Sequence, residues 1–518
     1  MRAALPAAII AATLSIPAAA APPEPPRITL PSGALQGTRP GDAPGAVFMG
    51  IPYAAPPTGP LRWQAPRPAQ KWPGVKDAAA PGPACIQVGA NGVSGSEDCL
   101  YLNVWTPRWP AQGKAPVMLW LFGGANTNGS ANNPVFDGAA LARQGVVVVT
   151  ANFRVGVFGF MAHPALSAES PAHASGNYML LDQLAALRWI RGNITRFGGD
   201  PGNVTLFGQS SGSYDLLLLM TSPLARGLFH KAIAQSGQFL AYDGPMPRAR
   251  AEAIGRQIAA DLKAPAGAVV LPFLRALPPE AVLAAARSRM STVPGSDTGL
   301  LTSIDGHVLT EPPARIFAAG RQLAIPLIIG SNAREITRDD PLPVLRAGIA
   351  ARYGDFAPAA LAAYGLDGDR PGRTDPLLGS PGAQWWTDIV QRCPATVEAS
   401  WHAAAGRPTF HYQFERTIPG REAQGAYHGA EVPFVFGNLD RVVGSAFGAE
   451  DRDAARQIQA YWVNFARTGN PNGAGLPEWP RAGRGAYLAF TQKGPVAAQG
   501  LQQGPCAVYR DWTLRNLK

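Results

Sequence analysis

Apolar positions along the chain fall into two periods. Gly145–Arg154 reads GVVVVTANFR, a β-branched run without alternation. A strand wetted on one face alternates apolar with polar residues, so an unbroken run fits a strand covered on both faces. Ala115–Phe122 (APVMLWLF) and the segment LYLNVWTP read as further strands, and ALQGTR and AVFMGIPYAAPPTGPLRW as short strands running into a proline-rich loop. The segment YMLLDQLAALRWIRGNITRF changes period: Leu180, Leu181, Leu184, Leu187, Trp189, Ile190 and Ile194 recur at helical spacing. A strand, NVTLFG, follows, then a helix, SYDLLLLM, and then strands in KAIAQSG and IPLIIGSN. Alternation of this kind predicts an α/β fold around a mainly parallel sheet with helices on both faces. Residues 245–300 and 340–400 are helical in pattern, rich in Ala, Pro and Gly, and show no strand series. They read as cap-like insertions in a single domain spanning 21–518.

Composition narrows the class. The 518 residues are 46% hydrophobic and 15% charged, with 58 glycines and 51 prolines, as in a large globular core carrying long loops. The net charge of +10 comes without a basic run, a basic helix face or a nucleic-acid module, which argues against nucleic-acid binding. The N-terminus, MRAALPAAIIAATLSIPAAAAPPEPP, has an early arginine, a short apolar stretch and small residues. It reads as a secretory signal over 1–20, cut near Ala20 or Ala21, placing the mature protein outside the cell or in the periplasm. No later segment has the length and apolarity of a membrane span. Four cysteines, Cys85, Cys99, Cys393 and Cys506, suit two disulfides in an exported chain. Three pairings are open, of which Cys85–Cys99 with Cys393–Cys506 is preferred.

The segment FGQSSGS sets Ser210 between Gly208 and Gly212. Strand, G-x-S-x-G turn and helix in succession predict a nucleophile elbow. A serine hydroxyl needs a base, and the base an orienting acid. In such folds the order is serine, acid, histidine. Among seven histidines, His230 is too close to Ser210 and His307 leaves little room. His402 sits in a helical stretch and His411 in a strand, so His428, beside a glycine and outside any regular period, is the expected base. Glu335 follows the strand IPLIIG, where acids of open α/β sheets gather; Asp339 and Asp340 are its rivals. Upstream, LWLFGGANTNGS carries Gly123, Gly124 and Ala125 after a strand. The N–H groups of Gly124, Ala125 and Ser211 are the expected oxyanion donors.

These blocks resemble the type-B carboxylesterase and cholinesterase family. SEDCLYLNVWTP (Ser96–Pro107) is similar to one family signature and FGGDPGNVTLFGQSSG (Phe197–Gly212) to its serine signature, while HGAEVPFVFG and YWVNFARTGNPN look like further family segments. The resemblance spans nearly all of the mature chain. It implies an α/β-hydrolase fold, a triad at Ser210, Glu335 and His428, the cysteine pairing preferred above, and a supporting serine at Ser236. Five departures stand out. Ala125 replaces a third glycine, Asn126 an aromatic residue, Gln209 a glutamate, Ser211 an alanine and Ile336 a glycine after the acid. They lead to the expectation of a more polar pocket wall at Asn126 and no strong selection for cationic, choline-like esters. The expected function is a secreted serine carboxylesterase acting on small esters, without metal or organic cofactor. A lipase or an amide or carbamate hydrolase on the same residues is the alternative, and a non-catalytic cholinesterase-like binding protein lies further off. Oligomeric state is left open.

Overall fold

The apolar runs assemble into one ten-stranded sheet. In the computed structural model, which describes residues 24–40, 44–89, 91–242, 244–287, 302–368 and 371–517, its strands are β1 (Ala46–Pro52), β2 (Tyr101–Thr106), β3 (Ala115–Leu121), β4 (Val147–Ala151) and β5 (Gly199–Gln209) in the first half. The second half supplies β6 (Lys231–Gln235), β7 (Leu327–Asn332), β8 (Thr409–Phe414), β9 (Ala486–Thr491) and β10 (Gly494–Gln499). Their spatial order is β10-β9-β8-β7-β6-β5-β3-β4-β2-β1. Every pairing from β9 to β4 is parallel. Antiparallel partners close the two edges, β10 on β9 and β2 on β4, with β1 antiparallel to β2. All residues of β4 and β6 are buried, as expected of central strands in a sheet covered on both faces.

Helix α1 (Tyr178–Asn193) buries Leu180, Leu184, Leu187 and Ile190, while Leu181 is only partly covered. Helix α2 (Ser211–Leu219) follows β5 directly and buries Leu216, Leu217, Leu218 and Leu219, against the sheet and its neighbours. The signal-like stretch 1–20 lies outside the described residues, as do 288–300 of the first helical insertion and 369–370 of the second. Within the remainder of those insertions are helices Arg248–Asp261, Val270–Ala276, Pro279–Ala286, Leu342–Tyr353, Ala357–Ala363 and Pro381–Thr387. A two-residue strand, Met246–Pro247, pairs with Ser303–Ile304 and was not legible in the helical pattern. No single helix among the described residues is long and apolar enough to cross a membrane.

Two disulfides, Cys85–Cys99 and Cys393–Cys506, tie the structure. The second joins α3 (Cys393–Ala404) to the C-terminal helix Gln503–Asn516.

Aromatic packing braces the C-terminal end of β5. Phe207 on β5 and Trp120 on β3 are register partners with ring centroids 4.8 Å apart. Phe436, in the short helix α4 (Val432–Phe436), packs 5.0 Å from Trp120 and 5.7 Å from Phe207. All three are buried. The cluster therefore clamps the segment around residue 430 against the strand that ends at residue 209. Replacing Phe436 with alanine opens a cavity in this clamp, and a loss of about 3–5 kcal/mol in unfolding free energy is expected. Urea denaturation measures it, with Phe436→Leu retaining most of the stability.

Candidate active site

Ser210 sits between β5 and α2 with φ 57° and ψ −129°, a conformation a side-chain-bearing residue rarely adopts. The glycines around it answer to close approach. A Cβ on Gly212 would lie 2.1 Å from the Leu121 carbonyl oxygen, and one on Gly208 would lie 2.7 Å from Gly212. The turn thus folds tightly onto the end of β3, and any larger residue would push Ser210 away from the sheet. The Ser210 N–H donates to the Gln235 carbonyl at 2.9 Å, anchoring the turn to β6.

The side chains expected from the sequence meet here. His428 Nε2 is 2.9 Å from Ser210 Oγ, and its Nδ1 is 2.7 Å from Glu335 Oε2. Glu335 follows β7 and is fully buried at its side chain, whereas the His428 side chain is 34% exposed. With Nδ1–H donating to Glu335, the free Nε2 lone pair faces the Ser210 hydroxyl; this tautomer is set by the hydrogen-bond network. Gln209 Nε2 approaches the same His428 Nε2 at 3.2 Å. The rival groups lie elsewhere. Asp340 accepts from Trp386 Nε1 at 2.9 Å and pairs with Arg338, and Asp339 is exposed. His402 contacts Gln322 and the Ile325 carbonyl, and burial pushes it and His411 down to about 4.

A second carboxylate, Glu431, was missed in the sequence, although it stands three residues after His428. Asn332 links the two acids: its backbone N–H donates to Glu335 Oε1 at 2.6 Å and its side-chain amide to Glu431 Oε2 at 2.7 Å. Gln235 Nε2 donates to the other Glu431 oxygen at 3.2 Å, and Trp462 Nε1 to Gln235 Oε1 at 3.1 Å. Burial, followed by the like charge of Glu335, raises the Glu431 pKa against the Asn332 hydrogen bond. For His428, burial alone would lower the pKa, but the hydrogen bond and charge of Glu335, with the charge of Glu431, outweigh it and raise it.

The glycine loop lies directly on the serine: a Cβ on Gly123 would come within 2.7 Å of Ser210 Cβ. Gly124 has φ 131°, and Ala125 and Asn126 follow with φ 54° and 58°. Among the described residues the backbone N–H groups of Gly124, Ala125 and Ser211 have no protein acceptor. The expectation that Asn126 makes the pocket wall more polar is not met. Asn126 is 6% exposed and its amide turns inward to Asp215 Oδ1 at 2.8 Å. A left-handed backbone at two successive residues directs this side chain into the protein rather than toward the cleft. Ser236 is buried with φ 51°, donates its N–H to the Gly330 carbonyl, and shows no hydrogen bond to Ser210, His428 or Glu335 among the described residues.

A parallel sheet whose central strand presents a serine at a constrained strand–helix turn, with an imidazole and a carboxylate arriving from beyond neighbouring strands, defines an α/β-hydrolase. Solved structures agree. A PNB esterase superposes with a TM-score of 0.78 at 32% identity, covering 93% of this chain and 99% of that one. Residues 24–341 and 378–509 match the model of the carboxylesterase family. A fumonisin B1 esterase from Sphingopyxis macrogoltabida is 38% identical over 495 residues, 91% of this chain and 86% of its own. Carboxylesterase 1F from Mus musculus is 34% identical over 489 residues, covering 85% of this chain and 84% of that one. The chain belongs to the carboxylesterase family and is a carboxylic ester hydrolase.

The electrostatics of His428 can be read in solution. Its imidazole should titrate above the ordinary value of about 6.5, and Glu335→Gln should lower that pKa by removing the nearest negative charge. Imidazole NMR shifts followed against pH check both.

Proposed function

We propose that Ser210, His428 and Glu335 form the proton relay of a serine esterase. The observation that carries this reading is the continuous hydrogen-bond line from Ser210 Oγ through His428 to Glu335, at 2.9 and 2.7 Å. His428 Nε2 takes the hydroxyl proton as Ser210 Oγ bonds to the ester carbonyl carbon. The carbonyl electrons move onto oxygen, where the N–H groups of Gly124, Ala125 and Ser211 stabilise the charge. The imidazolium then protonates the alkoxide as the C–O bond breaks and the alcohol leaves. Water repeats the sequence: His428 removes its proton as the water oxygen bonds to the acyl carbon, then returns that proton to Ser210 Oγ as the acyl bond to Ser210 breaks and the acid departs. Glu335 holds the tautomer and stabilises the imidazolium without itself taking the proton.

The environment adds three points. Ser211 is the first residue of α2, so its N–H belongs to the helix end where negative charge is favoured. Gln209 puts a neutral amide, not a charge, against His428, which supports uncharged or anionic esters over cationic ones. Two disulfides support a secreted or periplasmic setting. Residues 21–518 act in this reading as one domain, with the helical insertions walling the site.

Ser210→Ala should lose about 10⁴-fold or more in kcat on short p-nitrophenyl esters and all labelling by a fluorophosphonate. Turnover that survives the substitution would falsify the assignment. Because His428 must be neutral to act as base, kcat/KM should fall as the pH drops through its raised pKa, above about 6.5. Gln209→Glu brings a negative charge to the same nitrogen and should move that acid limb to still higher pH, read from the pH–rate profile.

A further inference from the structure

Asp215 is a buried carboxylate with no part in the relay described above. It lies on α2, five residues after Ser210 and one helical turn beyond Ser211, and is fully buried. Both of its hydrogen-bond partners among the described residues are neutral amides: Asn126 Nδ2 donates to Oδ1 at 2.8 Å and Gln183 Nε2, from α1, donates to Oδ2 at 2.8 Å. A carboxylate enclosed without a cation is costly to keep, so its presence calls for a return beyond packing.

The place it grips is specific. Asn126 directly follows Ala125, and the two form a successive left-handed pair, a conformation that side-chain-bearing residues hold only when their surroundings impose it. Three bonds impose it here. The Asn126 N–H donates to Ser211 Oγ at 3.1 Å, its carbonyl accepts from the Gly156 N–H at 2.7 Å, and its side chain is held by Asp215. Ser211 and Asp215 are four residues apart on one helix, so they share a face. The helix that begins just after the serine therefore fastens the glycine loop at two points.

We propose that Asp215 is a positioning residue for ester hydrolysis, holding Asn126 so that the Gly124 and Ala125 N–H groups stay aimed at the carbonyl oxygen as it becomes an oxyanion. The inference rests on the oxyanion reading given above. Oxyanion donors act at 2.7–3.1 Å from the position the charge will occupy, so a loop that relaxes loses stabilisation in the transition state while ground-state binding changes little. The network also shows how it tolerates an uncharged partner. Asn126 Oδ1 and Gln183 Oε1 are buried and have no partner among the described residues. An amide at position 215 can accept from one neighbour and donate to the other after a single amide turn.

The test compares Asp215→Ala and Asp215→Asn on short p-nitrophenyl esters, with active sites counted by fluorophosphonate titration. Inhibition by an alkyl trifluoromethyl ketone, whose adduct with the serine carries an oxyanion, is measured alongside. Asp215→Ala should lower kcat per active site by about 10- to 100-fold, leave KM within about twofold, and weaken the ketone by the same factor as kcat/KM. Asp215→Asn should restore kcat to within about threefold of the parent. Unchanged kcat in Asp215→Ala, a loss confined to KM, or an Asn variant as impaired as the Ala variant would overturn the proposal. If Asp215→Ala does not accumulate folded, Asn126→Ala cuts the same grip from the loop side; the same kcat loss is expected, and an unchanged kcat overturns the proposal. A parent enzyme that the ketone fails to inhibit sinks the oxyanion reading itself, whereas an inhibited parent with an unmoved Asp215→Ala sinks this inference alone.

Discussion

The arrangement at Ser210 depends on how closely two pieces of backbone can approach. The chain leaves β5, reverses at one residue of positive φ, and enters α2 with Gly212 nearly touching the Leu121 carbonyl. That contact fixes three things together. The hydroxyl stands at the C-terminal edge of the sheet, the first N–H of α2 faces the same space, and the glycine loop after β3 lies on the serine. No side chain could make this arrangement, because any Cβ at residue 212 would occupy the carbonyl's place. The strain is borne by the sheet, whose parallel register ties β5 to β3 on one side and β6 on the other.

Around this turn the charges are organised by burial. Glu335 lies out of water with one oxygen on the imidazole and the other on a backbone N–H. Glu431 stands behind it, reached through the Asn332 amide. Two acids in one dry region repel each other, so a cation on His428 is welcome. The two carboxylates thus raise the affinity of the imidazole for a proton. The aromatic clamp of Trp120, Phe207 and Phe436 keeps this assembly in register by joining the segment around His428 to the strand beneath Ser210.

Much of this was legible in the chain because local signals and the global fold agree. The run at 147–151 and the helical period at 178–193 appear as expected, and the serine turn lies where the glycines point. What escaped notice depends on contacts between distant segments. Glu431 looks like an ordinary acid after an alanine until Asn332 and Gln235 are seen to hold it. Asn126 looked like a pocket residue because its neighbours are, yet two successive left-handed residues turn it inward, and periodicity carries no sign of φ. Asp215 hides in a leucine-rich helix, and its partner Gln183 is more than thirty positions away in sequence.

The bridge between Cys393 and Cys506 has a topological effect. It closes a covalent ring of 113 residues' separation, and both β8 and His428 lie inside it. A backbone cut anywhere within that ring yields two pieces that cannot drift apart, so the imidazole stays tethered to the body that bears Ser210. Under oxidising conditions, the segment that carries His428 is therefore held to the rest of the chain even after a backbone cut.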